Sequence, residues 1–229
     1  MLETAAPEGR NITGMYRRAA ANLLIRLVPT ADAVGYRSSA APRPGLIKSF
    51  LTRSRKSMVI IETERLILSH LARDDAEFVL ELLNQPSFIR YIGDKGVRTL
   101  DDARRYIADG PARSYEVNGF GLNLVRLKVS NTPIGICGVL KRDTLPDPDI
   151  GFAFLPSYWN QGYALESAAA VMTHARETLG LERILAITSP DNEASEKLLG
   201  KIGLRFCRLT KLAEDADEVK LFSNIPVKV

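Results

Sequence analysis

From Arg65 to Leu71 the side chains alternate, with Leu66, Leu68 and His70 set against Ile67 and Ser69, and the segment reads as a strand. Asp74 and Asp75 then open a helix whose Phe78, Val79, Leu82 and Leu83 recur at helical spacing, and Pro86 marks its end. Thr99 with Asp101 and Asp102 looks like a second helix start, leading into Ala103, Tyr106 and Ile107. Three strand segments follow, Phe120–Val129, Ile134–Leu140 and Ile150–Leu155, separated by turns at Asn131-Thr132-Pro133 and Leu145-Pro146-Asp147-Pro148. These spacings suit an antiparallel meander, which Pro156 stops. The rhythm then changes. Gly162 opens a helix to about Leu179, with Leu165, Ala168, Ala169, Met172, Ala175 and Leu179 on one face and Gly180 as its cap. Arg183–Thr188 is a short apolar strand. Asn192 starts a last helix that turns Ala194, Leu198, Leu199 and Ile202 inward and ends at Gly203. Leu204–Leu209 and Val219–Phe222 close the chain as a hairpin across the acidic loop Glu214–Glu218. The order β-α-α-β-β-β-α-β-α-β-β predicts a mixed α/β domain, α+β-like rather than doubly wound.

The first 57 residues lack any such pattern and carry Gly, Ser, Ala and Pro clusters such as Ser38-Ser39-Ala40-Ala41-Pro42. They hold ten Lys/Arg against three Asp/Glu, whereas residues 58–229 hold twenty-one against twenty-four. The basic balance therefore belongs to the extension, and it gives no reason to expect nucleic-acid binding by the domain. Met15–Val28 reads as a short basic amphipathic helix. Three readings of residues 1–57 stay open: a solvated disordered tail, an organelle-targeting peptide weakened by Glu3 and Glu8, and a start at Met58. Asn11-Ile12-Thr13 matches a glycosylation acceptor but has no secretory context. No apolar run suggests a membrane span. Cys137 and Cys207 are isolated, and His70 and His174 lack ligand spacing, so we expect no disulfide, no metal and a cytoplasmic setting.

The junction Ile150–Glu166 carries the chemistry. A strand passes through Ser157-Tyr158-Trp159-Asn160-Gln161-Gly162-Tyr163-Ala164 into a helix. The first N–H groups of a helix have no partner within it, and the helix dipole adds positive potential there, so phosphate oxygens fit such a turn. Gly162 lets the backbone come close. The pattern alone specifies only an anion site. It matches neither a P-loop nor a dinucleotide fingerprint, because Gly119-Phe120-Gly121 lacks a third glycine and enters a strand.

The run Pro156–Glu166 resembles motif A of GNAT acetyltransferases, and most nearly the branch containing the ribosomal-protein (Rim-type) N-terminal acetyltransferases, P-x-x-W-G-x-G-Y-A-x-E-A. Three further segments resemble that family in order: Glu62–Leu68 its T-E-R-L-x-L strand, Ile134–Gly138 its I-G-x-x-G strand, and Asn192–Leu204 its N-x-A-S-x-x-x-L-x-K-x-G-F helix. Three positions depart. Trp159 stands where the wider superfamily has Arg or Gln, Asn160 where the branch usually has Gly, and Gly200 where Glu is usual.

The resemblance implies a GNAT fold with a central sheet splayed at the coenzyme A site, and acetyl-CoA as co-substrate. It implies that Asn160, Gln161, Gly162, Tyr163 and Ala164 hold the pyrophosphate, that the backbone of Phe154 and Leu155 meets the pantetheine amides, and that Asn192 bonds the pantetheine arm. Asn192 is equally a good helix N-cap. Leu199 occupies the position where many members carry an acidic tyrosine, so Ser195 becomes the candidate acid, with a local capping role as the alternative. Asp149 is the candidate base, acting through water, or else a turn residue after Pro148. Glu166 reads as structural. Tyr158 and Trp159 either wall the site or pack in the core. The acceptor is expected to be a primary amine, on a small molecule or a protein N-terminus, and the protein a monomer or homodimer. A non-catalytic acyl-CoA-binding module is the competing class.

Overall fold

The computed structural model describes residues 58–226. The basic segment, with its Met15–Val28 and Asn11-Ile12-Thr13 features, lies outside the described residues. The strands are β1 (Val59–Glu62), β2 (Leu66–His70), β3 (Leu122–Leu127), β4 (Pro133–Leu140), β5 (Asp149–Phe154), β6 (Leu185–Thr188), β7 (Arg205–Lys211) and β8 (Glu218–Ser223). The helices are α1 (Ala76–Leu83), α2 (Pro86–Tyr91), α3 (Leu100–Ile107), α4 (Arg113–Asn118), α5 (Tyr163–Glu177) and α6 (Glu193–Lys201). One eight-stranded sheet runs in the order β1-β2-β3-β4-β5-β6-β8-β7. The meander and the closing hairpin are antiparallel as expected, and β5–β6 is the parallel neighbour pair.

Three elements exceed the predicted order: β1, α2 and α4. Pro86 does not end a helix. The preceding helix stops at Leu83, and Pro86 starts α2 at its first turn, where a missing N–H costs nothing. Thr99 caps α3 as expected. Its side chain accepts from Asp102 N–H, and the Asp102 carboxylate accepts from Thr99 N–H. In α5 the buried stripe is Ser167, Ala168, Val171 and Ala175, with Ala169 exposed, so the true face is rotated from the predicted one. Ala194, likewise expected inside, is exposed on α6.

The two faces of the sheet bury separate clusters. One packs α5 and α6 on the sheet through Leu66, Ile134, Phe154, Val171, Leu199 and Phe222. Leu199 is 1% exposed, and a leucine buried so fully stabilises by about 1.5–3 kcal/mol. The other packs α1–α3 on the sheet through Phe78, Leu82, Ala103, Leu124 and Leu155. A third, smaller cluster of Leu145, Leu185 and Leu221 lies further along. Neighbouring residues on a strand face opposite sides. Because Ala186 and Phe222 belong to the first cluster, Leu185 and Leu221 share the α1–α3 side of the sheet. That side therefore has two apolar islands, with the β5–β6 junction between them.

Gly135 and Gly138 in β4 explain the I-G-x-x-G resemblance sterically. A side chain at Gly135 would lie 2.4 Å from the Phe154 ring, and one at Gly138 would lie 2.1 Å from the Gly121 carbonyl oxygen. At these positions β4 packs directly against its neighbours.

Candidate active site

The β5 and β6 strands pair at Asp149 with Leu185, joined by Leu185 N–H to Pro148 C=O at 2.8 Å, and then diverge. Pairing of Leu155 with Ile134 in β4 fixes which β5 groups face the opening, because backbone groups alternate sides in an antiparallel strand. Leu155 N–H is bonded to Ile134 C=O at 3.0 Å, and Leu155 C=O accepts from Tyr158 N–H at 3.0 Å. The expected amide contact through Leu155 is thus already spent inside the protein. Phe154 faces the opening, but its carbonyl accepts from the Trp159 indole at 2.9 Å. Phe154 N–H and both backbone groups of Phe152 remain on the open edge.

Beyond β5, a short helical turn at Pro156–Tyr158 leads into the cradle. Asn160 has φ 58° and Gly162 φ 82°. Both are left-handed conformations, which glycine adopts freely and asparagine tolerates better than most residues. Asn160, where the resembling branch usually has glycine, itself takes a left-handed conformation. Among the described residues, no acceptor meets the N–H groups of Gln161, Gly162, Tyr163 or Ala164; the helix ladder begins with Glu166 N–H to Gly162 C=O at 3.0 Å. The sequence-predicted pyrophosphate residues are therefore brought together, with their amides unpaired at the N-terminus of a fifteen-residue helix.

What holds the cradle was missed in the sequence. Glu166 Oε1 accepts from Thr63 Oγ1 at 2.6 Å and from Arg65 N–H at 2.9 Å, while Oε2 accepts from Arg65 Nε at 2.6 Å. Arg65 also donates to Gln161 C=O at 3.0 Å, and its guanidinium lies 4.6 Å from the Tyr163 ring centre. The Thr63-Glu64-Arg65 turn thus grips both ends of the cradle. Burial alone would raise the Glu166 pKa, but the hydrogen bonds from Thr63 and Arg65 outweigh it and hold the carboxyl below its usual value. Glu166 is structural, as expected. Tyr158 packs against both large apolar clusters, and Trp159 is 45% exposed.

On the far side of the opening, Asn192 caps α6, its side-chain oxygen accepting from Ser195 N–H at 3.1 Å. Its side-chain NH2 keeps its donors, so capping leaves a pantetheine contact available. Ser195 is half-buried, and its hydroxyl has no hydrogen-bond partner among the described residues.

Asp149 sits at the last paired position of the opening and is 1% exposed. Desolvation raises its pKa, against the opposing charge of Arg142. The position and the raised pKa suit a base. However, Arg142 Nε donates to both carboxylate oxygens, at 2.9 and 3.0 Å, and covers it. Burial also pushes the Cys137 thiol up to about 12, so it is no nucleophile at neutral pH. Both cysteines are free.

Residues 65–205 match the family model for the acetyltransferase (GNAT) domain. The chain belongs to this family. An uncharacterised N-acetyltransferase of Bacillus subtilis, YoaA, is 30% identical over 148 residues, which cover 64% of this chain and 82% of YoaA. A GNAT-family acetyltransferase structure from Bacillus anthracis matches with a TM-score of 0.59 at 26% identity, covering 71% of this chain and 96% of that one. The ribosomal L7/L12 α-N-protein acetyltransferase RimL in complex with coenzyme A shares the fold, with a TM-score of 0.63 at 18% identity over 73% of this chain and 98% of RimL. The protein is an acetyl-CoA-dependent acetyltransferase. No helix among the described residues is long and apolar enough to cross a membrane.

Proposed function

We propose that this GNAT member transfers acetyl from acetyl-CoA directly to a primary amine presented at the β5–β6 opening. The observation that carries the reading is the junction itself: a row of unpaired amides at the α5 N-terminus continues into a strand edge that opens where Asp149 and Leu185 last pair. Acetyl-CoA supplies the thioester carbonyl, the amine nitrogen bonds to that carbon, the C–S bond breaks, and the proton that nitrogen loses balances the one sulfur gains as it leaves as a thiol. Gln161, Gly162, Tyr163 and Ala164 hold the pyrophosphate. Phe152 and Phe154 amides and the Asn192 side chain orient the arm, and the free Ser195 hydroxyl gives the departing sulfur its proton.

The amine must arrive neutral. An α-amine with pKa near ~8 is about one-tenth neutral at pH 7, whereas a lysine near ~10.4 is under roughly a thousandth. A terminal amine or a similarly weak base therefore needs little help beyond positioning. Where help is needed, Asp149 supplies it through water once Arg142 moves aside. The test is the full chain with acetyl-CoA and a panel of amines, with free thiol and acetylated product both measured. Calorimetry showing no acetyl-CoA binding would sink the proposal.

A further inference from the structure

On the α1–α3 side of the sheet, next to the opening, a cavity of about 130 Å³ lies between the β4–β5 loop and the β7–β8 hairpin. Its floor is the third apolar cluster, and one floor residue, Leu185, is the β6 partner of Asp149. The cavity thus begins where the opening closes. Its polar lining is Thr144, Asp147, Arg183, Arg208, Thr210 and Lys211.

Two observations set its chemistry. First, Thr144 Oγ1 and Arg183 Nε are buried without a hydrogen-bond partner. Both can donate, and a buried donor left unpaired is costly, so an acceptor group is what the cavity lacks. Second, the charges do not cancel. Asp147 pairs with Arg183 at 3.5 Å, while Arg208 and Lys211 join no ion pair among the described residues. A bulge in β7 aims Arg208 and Thr210. Phe206 lies opposite Phe222, a residue of the first cluster, but the register then shifts so that Arg208 lies opposite Leu221 of the cavity floor. Without that extra residue, Arg208 and Thr210 would face the other side.

Resting on the acetyl-transfer reading of the opening, we propose that this cavity is an acceptor subsite for a carboxylate set a few bonds from the reacting amine. The volume suits a carboxylate with a few carbons, being about four times the ~30 Å³ share of a water molecule. The acceptor class is then an amino acid with a distal carboxyl group, or a peptide whose N-terminal residue is followed by an acidic one. Cationic polyamines are disfavoured.

Matched acceptors test this on the full chain: γ-aminobutyrate against its amide, and Ala-Asp-Ala-Ala against Ala-Asn-Ala-Ala, with acetyl-CoA affinity measured in parallel. The small-molecule and peptide arms distinguish the source of the carboxylate. We expect at least one acid to exceed its amide in kcat/KM by about tenfold or more, the scale of a charge-assisted hydrogen bond. The ratio should fall toward one in Arg208→Gln and in Thr144→Val, and persist in Arg205→Gln, a nearby charge outside the cavity. Amides acetylated as well as the acids, or a ratio that Arg205→Gln erases as fully as Arg208→Gln, would overturn the subsite and leave the transferase reading intact. No transfer to any amine would overturn both.

Discussion

Arg65 Nε lies 2.6 Å from Glu166 Oε2, joining two motifs 101 positions apart in the chain. With Thr63 it makes the β1–β2 turn the anchor of the cradle at the start of α5. The salt bridge is partly solvated, with Arg65 44% and Glu166 19% exposed, so its Coulomb energy is modest. Its geometric effect is larger, because Arg65 also holds the Gln161 carbonyl.

Replacing Glu166 by Ala should therefore cost about 2 kcal/mol of stability, from hydrogen bonds to a charged group, and weaken acetyl-CoA binding as the cradle loosens. Denaturant unfolding and calorimetry measure the two effects. The pH dependence has a definite sign. A carboxyl whose native pKa is depressed stabilises fully above its unfolded value, near ~4.3, and loses that contribution as pH falls through the native value. Glu166→Gln should flatten the acid limb of the stability curve. A limb of unchanged slope would mean that the contacts carry little energy.

Gly162 has φ 82°, and a side chain there would lie 3.2 Å from Arg65 Nη2. A left-handed non-glycine residue costs roughly 1–2 kcal/mol, and a branched one also fills the anion cradle. Gly162→Val should abolish measurable acetyl-CoA binding, and Gly162→Ala should weaken it about tenfold. Unchanged affinity in the valine variant would show that the pyrophosphate sits elsewhere.

The legible parts of this fold were those written in local backbone chemistry. The capping signal at Thr99, the hairpin around Glu214–Glu218 and the turn at Gly162 each depend on residues close in sequence, and each stands where expected. The α5 face differs from the expected one because alanines fill several of its sides, so the small contrast between Ala169 and Val171 carries no clear period. Pro86 looks like a stop in the sequence because a proline ends one helix and starts another with the same missing donor. The grip of Thr63 and Arg65 on Glu166, and of Arg142 on Asp149, are long-range or loop-borne pairings of ordinary charged residues. No spacing rule announces them. The alternation that spends Leu155 on β4 depends on sheet register, which a single strand does not reveal.

The Ser195 hydroxyl has no partner among the described residues, while its N–H is held by Asn192. Ser195→Ala therefore removes only the hydroxyl. We expect kcat to fall about 10–100-fold with the KM for acetyl-CoA little changed, the signature of a group acting on the leaving sulfur. Asn192→Ala should instead raise that KM and cost about 1 kcal/mol of stability through the lost cap. Equal kcat in Ser195→Ala and the parent protein would reduce Ser195 to a helix residue.

Asp149 has a pKa raised by desolvation, and a base must be ionised to work. The acid limb of kcat/KM should then lie above the ordinary aspartate value of ~3.9 and vanish in Asp149→Asn. Profiles of the same shape in both proteins would assign Asp149 solely to holding Arg142.

Gly200 lies in α6 with nothing within 4 Å of where a Cβ would stand, and its φ is not left-handed. Glycine there contributes only backbone entropy to the unfolded chain. Alanine at an interior helix position is favoured over glycine by about 1 kcal/mol, somewhat less near a frayed end. Gly200→Ala should raise stability by about 0.5–1 kcal/mol and Tm by a few degrees, as read by thermal unfolding. The site faces solvent, so no packing change competes with that gain. A lower Tm would mean that the helix end needs a conformation alanine resists.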